Sequence, residues 1–186
     1  MGTIVWVKRQ GLDATLGFTF RAQVERLPAR KARTLSIEGP VRNVDLPRKQ
    51  AFGVSARSPF DHRGHLIAER FGGPNSSVNL VAMHGLVNMN GGPWYAMEVE
   101  IARMLDASGA HRPGLPRTGW MKVTVRYHSA EPLRPIAFHV EAKDPNGTTK
   151  FWQIFNANPH LPNPNDPRRP DANALAVEVN ADIARG

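Results

Sequence analysis

The run Pro93–Gly109, PWYAMEVEIARMLDASG, restricts the folds open to this chain more than any other stretch. Trp94, Met97, Ile101 and Met104 or Leu105 recur at helical spacing, so one face of a helix is apolar and must be covered. Pro93 suits the first turn, where its missing N–H costs nothing, and Gly109 can stop the helix. The segments available to cover it alternate like strands: TIVWVKR, ATLGFTFRAQVE and ARTLSIEG before it, WMKVTVRYH, PIAFHVEAK and TTKFWQIFN after it. The last two are joined by a Pro-Asn-Gly turn at 145–147. This predicts an α+β fold, mainly antiparallel sheet with helices.

Between the two groups of strands the pattern is more mixed. Residues 39–60 read as loop, with one strand expected near Gln50–Ala56. A helical turn at Leu66–Arg70 closes on Gly72 and Gly73, and NLVAMH, Asn79–His84, is a short apolar strand. From Asn158 to Pro170 proline and asparagine dominate, giving an extended strap before a last helix that Asp171 can cap. The expected division is a domain over 1–156, its core at about 50–108, with the strap and helix of 157–186 packed on it.

Composition removes several classes of protein. Apolar residues make up 41% of the 186, enough for a real core, and no apolar run approaches the roughly 20 residues of a membrane span. No membrane partner is expected. There is no cysteine, so any metal must be held by oxygen or imidazole. The opening MGTIVWVKRQ does not look like a signal peptide, so the chain is expected to be cytoplasmic unless a specialised system exports it. The net charge of +8 is lopsided: residues 1–50 hold ten Lys or Arg against four Asp or Glu, the rest fourteen against twelve. A basic segment beside a nearly neutral body fits a polyanionic partner such as nucleic acid.

The densest chemistry lies in DHRGHLIAERFGG, residues 61–73, where two histidines, an arginine and an acid share five positions. Together with NLVAMHGLVN (Asn79–Asn88) and Trp94 and Glu98 on the helix, this stretch resembles the DNA/RNA non-specific endonuclease family, which has the ββα-metal fold. RNVDLPRKQ upstream and YHSAEPLRPIAFHVE downstream resemble its bacterial toxin-type subgroup, and the likeness covers roughly residues 39–156. The resemblance implies a Mg²⁺-dependent phosphodiesterase, with Mn²⁺ as a possible substitute. In it His65 stands as general base, Asn88 as the protein ligand to the ion, and Glu98 as the carboxylate that holds the ion's waters. Asn79 and Arg63 stand as supporting residues. Arg42 or Arg48 is the arginine set against the scissile phosphate, Arg42 being preferred, and Arg48 and Lys49 would bind nucleic acid. A toxin of this kind would be delivered to act in a target-cell cytoplasm, and it implies an acidic immunity protein in the producing cell.

One departure is visible. The family places an aspartate three residues before the histidine; here that position is His62, and the acid is Asp61. Either the chain bulges by one residue or His62 takes a new role. Two other functions compete with the nuclease: a catalytically silent nucleic-acid-binding domain, and an HNH-like enzyme in which His84 joins a transition metal.

Physical chemistry supports the resemblance independently. Phosphodiester anions repel nucleophiles, so hydrolysis needs a base for water and cationic help for the developing charge. An imidazole of ordinary pKa near 6.5 can be a neutral base at pH 7. Mg²⁺ keeps several waters, so one amide oxygen can suffice as its protein ligand.

Overall fold

The structure, a computed structural model, describes residues 2–44, 59–109, 118–129 and 132–157. The expected strand at Gln50–Ala56, Arg48 and Lys49, and all but the first residue of the strap and helix expected at 157–186 lie outside the described residues.

Six antiparallel strands form one sheet in the order β1 (Thr3–Gln10), β2 (Thr19–Arg26), β3 (Ala32–Val41), β6 (Gly119–Tyr127), β7 (Pro135–Lys143), β8 (Thr149–Phe155). Alternation selects the inner face: Phe20, Ala22, Ile37, Val41, Met121, Val123, Phe138 and Val140 are all buried. The neighbours β3 and β6 are not joined directly. Between Val41 and Gly119 the chain makes an excursion through a two-stranded ribbon, β4 (Asp61–His65) with β5 (Leu80–His84), then α1 (Gly85–Asn88) and α2 (Pro93–Gly109).

α2 matches its sequence pattern residue for residue. Trp94, Met97, Ile101 and Leu105 are buried, and Trp94 meets Phe138 of β7 edge-to-face with ring centroids 5.0 Å apart. Of the Met104/Leu105 alternatives, it is Leu105 that enters the core. Glu100 fixes the other side of the helix to β8, accepting from Lys150 Nζ and from Trp152 Nε1.

Two elements differ from expectation. DHRGH reads in sequence as the approach to a turn, yet it is strand β4, paired with β5 without a register shift from Asp61↔His84 to His65↔Leu80. The pairing depends on close approach at Gly64, where an added Cβ would stand 2.8 Å from Met83 Cβ. The helical turn lies later than expected, as a 3₁₀ turn at Glu69–Phe71, closed by Gly72 at φ +82°. α1, a single turn, is too short to leave a period in the sequence.

The ribbon is docked on the large sheet by buried polar groups. The Asp61 carboxylate, 0% exposed, accepts from Arg134 Nη2 at 2.8 Å and from Nε at 3.0 Å, just ahead of β7. Beside it Asn156, at the end of β8, accepts from the His84 N–H at 2.7 Å and donates to the carbonyls of Ala82 and Pro135. Arg134 Nη1 closes the group by donating to the Asn156 carbonyl. A buried pair of this kind contributes little net stability but is costly to break, because the surviving charge is left without a partner. Asp61→Ala is therefore expected to lower unfolding free energy by about 3–5 kcal/mol in a urea titration, and Asp61→Asn by less, since its amide oxygen still accepts from Arg134.

Candidate active site

His65 ends β4 and carries the most distinctive electrostatics in the ribbon. Its side chain is 17% exposed, and Nε2 is buried without a hydrogen bond among the described residues. Glu69, one turn on, places Oε1 3.7 Å from Nε2, too far for a hydrogen bond but near enough for attraction. Burial pushes the His65 pKa below its ordinary value, and Glu69 offsets part of that push. The imidazole is thus neutral at pH 7, with a lone pair or N–H held in a sheltered place.

The loop that leaves His65 is fixed by Asn79, which is 0% exposed. Its Oδ1 accepts from the Ile67 N–H at 2.8 Å, while Nδ2 donates to the carbonyls of Ile67 at 2.8 Å and Pro74 at 3.0 Å. The Leu66 N–H donates to the Asn79 carbonyl. Asn79 therefore fixes the backbone of the loop beyond His65 rather than the ring.

Arg42 reaches the same loop from β3. Its N–H donates to the Phe71 carbonyl at 3.3 Å and that of Val44 to the Arg70 carbonyl at 2.8 Å. Asn43 ties this corner to α2 by donating to Asp106 at 2.8 Å and accepting from Arg70 at 3.3 Å. Arg63 lies exposed on β4, two residues before His65.

Asn88 ends α1, which packs against β4, β5 and α2. Glu98 on α2 accepts from Trp94 Nε1 at 3.0 Å, one helical turn away. Glu100, two residues on, is bonded to Lys150 and Trp152 of β8. His84 serves the architecture instead. Its Nδ1 accepts from the Leu86 N–H at 3.2 Å, capping α1, and the ring stacks on Phe60.

The displaced acid is also explained. With no shift in the β4–β5 register, the one-residue bulge is absent, and Asp61 is spent on Arg134. His62 is exposed on β4, with its ring against Gly85, where an added Cβ would stand 3.0 Å from Nε2. Sequence reasoning missed Arg134, Asn156 and Glu69. Arg134 lies 73 positions from Asp61, and neither it nor Asn156 carries a local pattern; Glu69 alone was findable, four residues beyond His65.

The donor set suits a hard, mostly hydrated cation. Among the described residues no three His, Asp or Glu side chains gather into a metal cage, as a zinc-type site would need. The amide of Asn88 and the carboxylate of Glu98 offer oxygen ligation of the kind Mg²⁺ accepts while keeping its waters.

A ribbon of two strands followed by a helix, ending its first strand in a half-buried histidine, is the arrangement of the ββα-metal class of nucleases. A model of the DNA/RNA non-specific endonuclease family matches residues 35–146, and the chain belongs to that family. It is 34% identical over 125 residues to the type VII secretion system protein EssD of Staphylococcus aureus (strain USA300), a match covering 66% of this chain and 19% of EssD. The chain thus spans about a fifth of that relative. NucA from Streptococcus agalactiae shares the fold: the structure with no metal bound has a TM-score of 0.52 at 18% identity, and the magnesium-bound one 0.50 at 17%. Each of the two comparisons covers 74% of this chain and 72% of NucA.

Stability and pH dependence both test this geometry. Asn79→Ala strands the Ile67 N–H and two carbonyls in the interior, and is expected to cost about 3 kcal/mol in urea unfolding. For His65 the folded pKa lies below the unfolded value of 6.5. The unfolded chain then binds more protons between those two values, so stability falls as pH drops through that window. His65→Gln should flatten this part of the stability–pH curve. Glu69→Gln removes the attraction that favours the charged ring, and should move the acid limb of any His65-dependent activity to lower pH.

Proposed function

We propose that this chain is a metal-dependent endonuclease that hydrolyses phosphodiester bonds of DNA, RNA or both with little sequence preference. The observation that carries it is the half-buried imidazole of His65, its pKa pushed down by burial, in a member of this family, on a ribbon packed against the helix that ends in Asn88.

In this reading His65 accepts the proton of the attacking water, its depressed pKa keeping it competent at neutral pH. Its partial burial limits competing protonation from solvent. Arg42 presents its guanidinium to a non-bridging phosphate oxygen, steadied by the backbone bond to Phe71. Asn88 would hold the divalent ion, with Glu98 orienting the ion's waters. When bound, Mg²⁺, or Mn²⁺ in its place, supplies positive charge for the transition state and the departing oxygen. A neutral amide ligand leaves that charge undiminished. Contacts of this type address phosphate and sugar, which explains the low sequence preference.

The likeness to EssD, a type VII secretion system protein, supports the further proposal that the nuclease is a delivered antibacterial toxin module. An acidic immunity protein in the producing cell is the partner that proposal requires. Among the described residues no helix is long and apolar enough to cross a membrane.

The test is conversion of supercoiled plasmid and of a structured RNA in Mg²⁺, with an EDTA control. Wild type should cut and EDTA should stop it. His65→Ala should reduce the rate by about 10²- to 10⁴-fold, and Asn88→Ala should raise the Mg²⁺ concentration required. Plasmid bound but never cut, with any divalent ion, would instead favour the silent binding domain, for which the histidine at position 62 is the motivating departure.

A further inference from the structure

Strands β1 and β2 precede the part of the chain matched by the family, which begins at residue 35. Nothing in the site described above uses this hairpin. Its outer strand β1 forms one edge of the sheet. An exposed edge normally carries polar or charged side chains that discourage other chains from pairing. This one presents Ile4 and Trp6, 53% and 52% exposed.

Strand alternation puts Ile4, Trp6 and Lys8 on the same side of β1, away from the half-buried Val5 and Val7. Across the pair, Trp6 faces Gln23 and Lys8 faces Arg21. The Arg21 guanidinium carbon lies 4.9 Å from the Trp6 ring centre, and the indole remains half exposed beneath it. The nearby carboxylates are already engaged: Glu25 binds Arg33 at 2.7 Å, and Glu38, opposite Arg21 in register, has Lys122 at 3.8 Å. Lys8 and Arg21 form no ion pair among the described residues. The strip is therefore cationic, with a half-exposed aromatic side chain next to a cross-strand pair of cations.

The opposite face of β1, which carries Val5, Val7 and Arg9, meets the loop beside the site. At the end of β1, Arg9 Nε donates to Ser76 Oγ at 3.2 Å, and the Leu12 N–H donates to the Gly72 carbonyl at 3.3 Å. Both acceptors belong to the loop between His65 and Asn79. From Trp6 to Gln10 the strand covers about 13 Å at the usual rise per residue, and a strand that runs from the site to the indole has to pass around the β1 edge.

We propose that the β1–β2 edge is an accessory binding track for single-stranded nucleic acid, where a base stacks on Trp6 while Lys8 and Arg21 hold the adjacent backbone phosphate. Stacking on an aromatic side chain beside cations is the usual means of holding single strands without reading sequence. A duplex offers no free base face to Trp6, so the track favours single strands, loops and frayed ends. The proposal rests on the nuclease reading, since it supplies substrate to that site.

The experiment measures fluorescence anisotropy of a 5′-labelled 20-residue oligo-dT with the full chain in EDTA, across a salt series. Alongside it, Mg²⁺-dependent hydrolysis of bis(p-nitrophenyl) phosphate is measured, a substrate too short to touch the track. Trp6→Ala should weaken oligo-dT binding about 5- to 100-fold, and Trp6→Phe should stay within about threefold of wild type. The double variant Lys8→Ala/Arg21→Ala should make the slope of log K against log salt shallower by about 1.4. Hydrolysis of the small ester should be unchanged in all three. Oligo-dT affinity within twofold of wild type in both Trp6→Ala and the double variant, with plasmid still cut by wild type, overturns the track and leaves the nuclease standing. So does sedimentation showing that Trp6 instead pairs two copies of the chain, with oligo-dT affinity indifferent to its loss. Failure of wild type to hydrolyse any phosphodiester strikes the nuclease reading itself.

Discussion

The fold around the site depends on a polar lock in an otherwise apolar interior: Asp61 with Arg134, and Asn156 with the backbone of β5. A two-stranded ribbon cannot stabilise itself in water, and this one has little apolar surface on its first strand. Only Asp61 and Gly64 of the five β4 residues are buried. Hydrophobic burial alone would leave β4 poorly determined. The bidentate pair gives it one position and one register, at the cost of withdrawing a carboxylate from water.

That single register has consequences for the chemistry. Fixing Asp61 opposite His84 sets His65 opposite Leu80, next to Asn79. Asn79 then immobilises the chain beyond His65, and the imidazole is enclosed instead of moving with a surface loop. Its lowered pKa follows from that enclosure, with Glu69 moderating the effect. The same lock explains why the acid of this motif can stand one position early: Asp61 holds architecture, and position 62 is left to an exposed histidine.

Legibility in the sequence tracked the range of the interactions. β1, β2, β3, β6, β7, β8 and α2 could be read because burial on one face imposes a period on the residues. β4 could not, since DHRGH owes its strand conformation to a partner ribbon and to a side chain 73 positions away. α1 left no period because it is one turn long. His65, Asn79, Asn88 and Glu98 could be named as candidates through their order and spacing, and the structure adds the bonds that spacing could not supply. Asn79 is bonded to the loop, Glu100 to β8, and His84 caps α1 through Nδ1.

The central claim is that the fold holds the His65 ring sheltered and neutral at physiological pH, and histidine NMR tests it most directly. Titration of the His65 Cε1–H resonance, assigned with His65→Gln and recorded without added metal, should give a midpoint below the ordinary 6.5 in the folded protein and near 6.5 in urea. A folded-state midpoint at or above 6.5 would contradict the account.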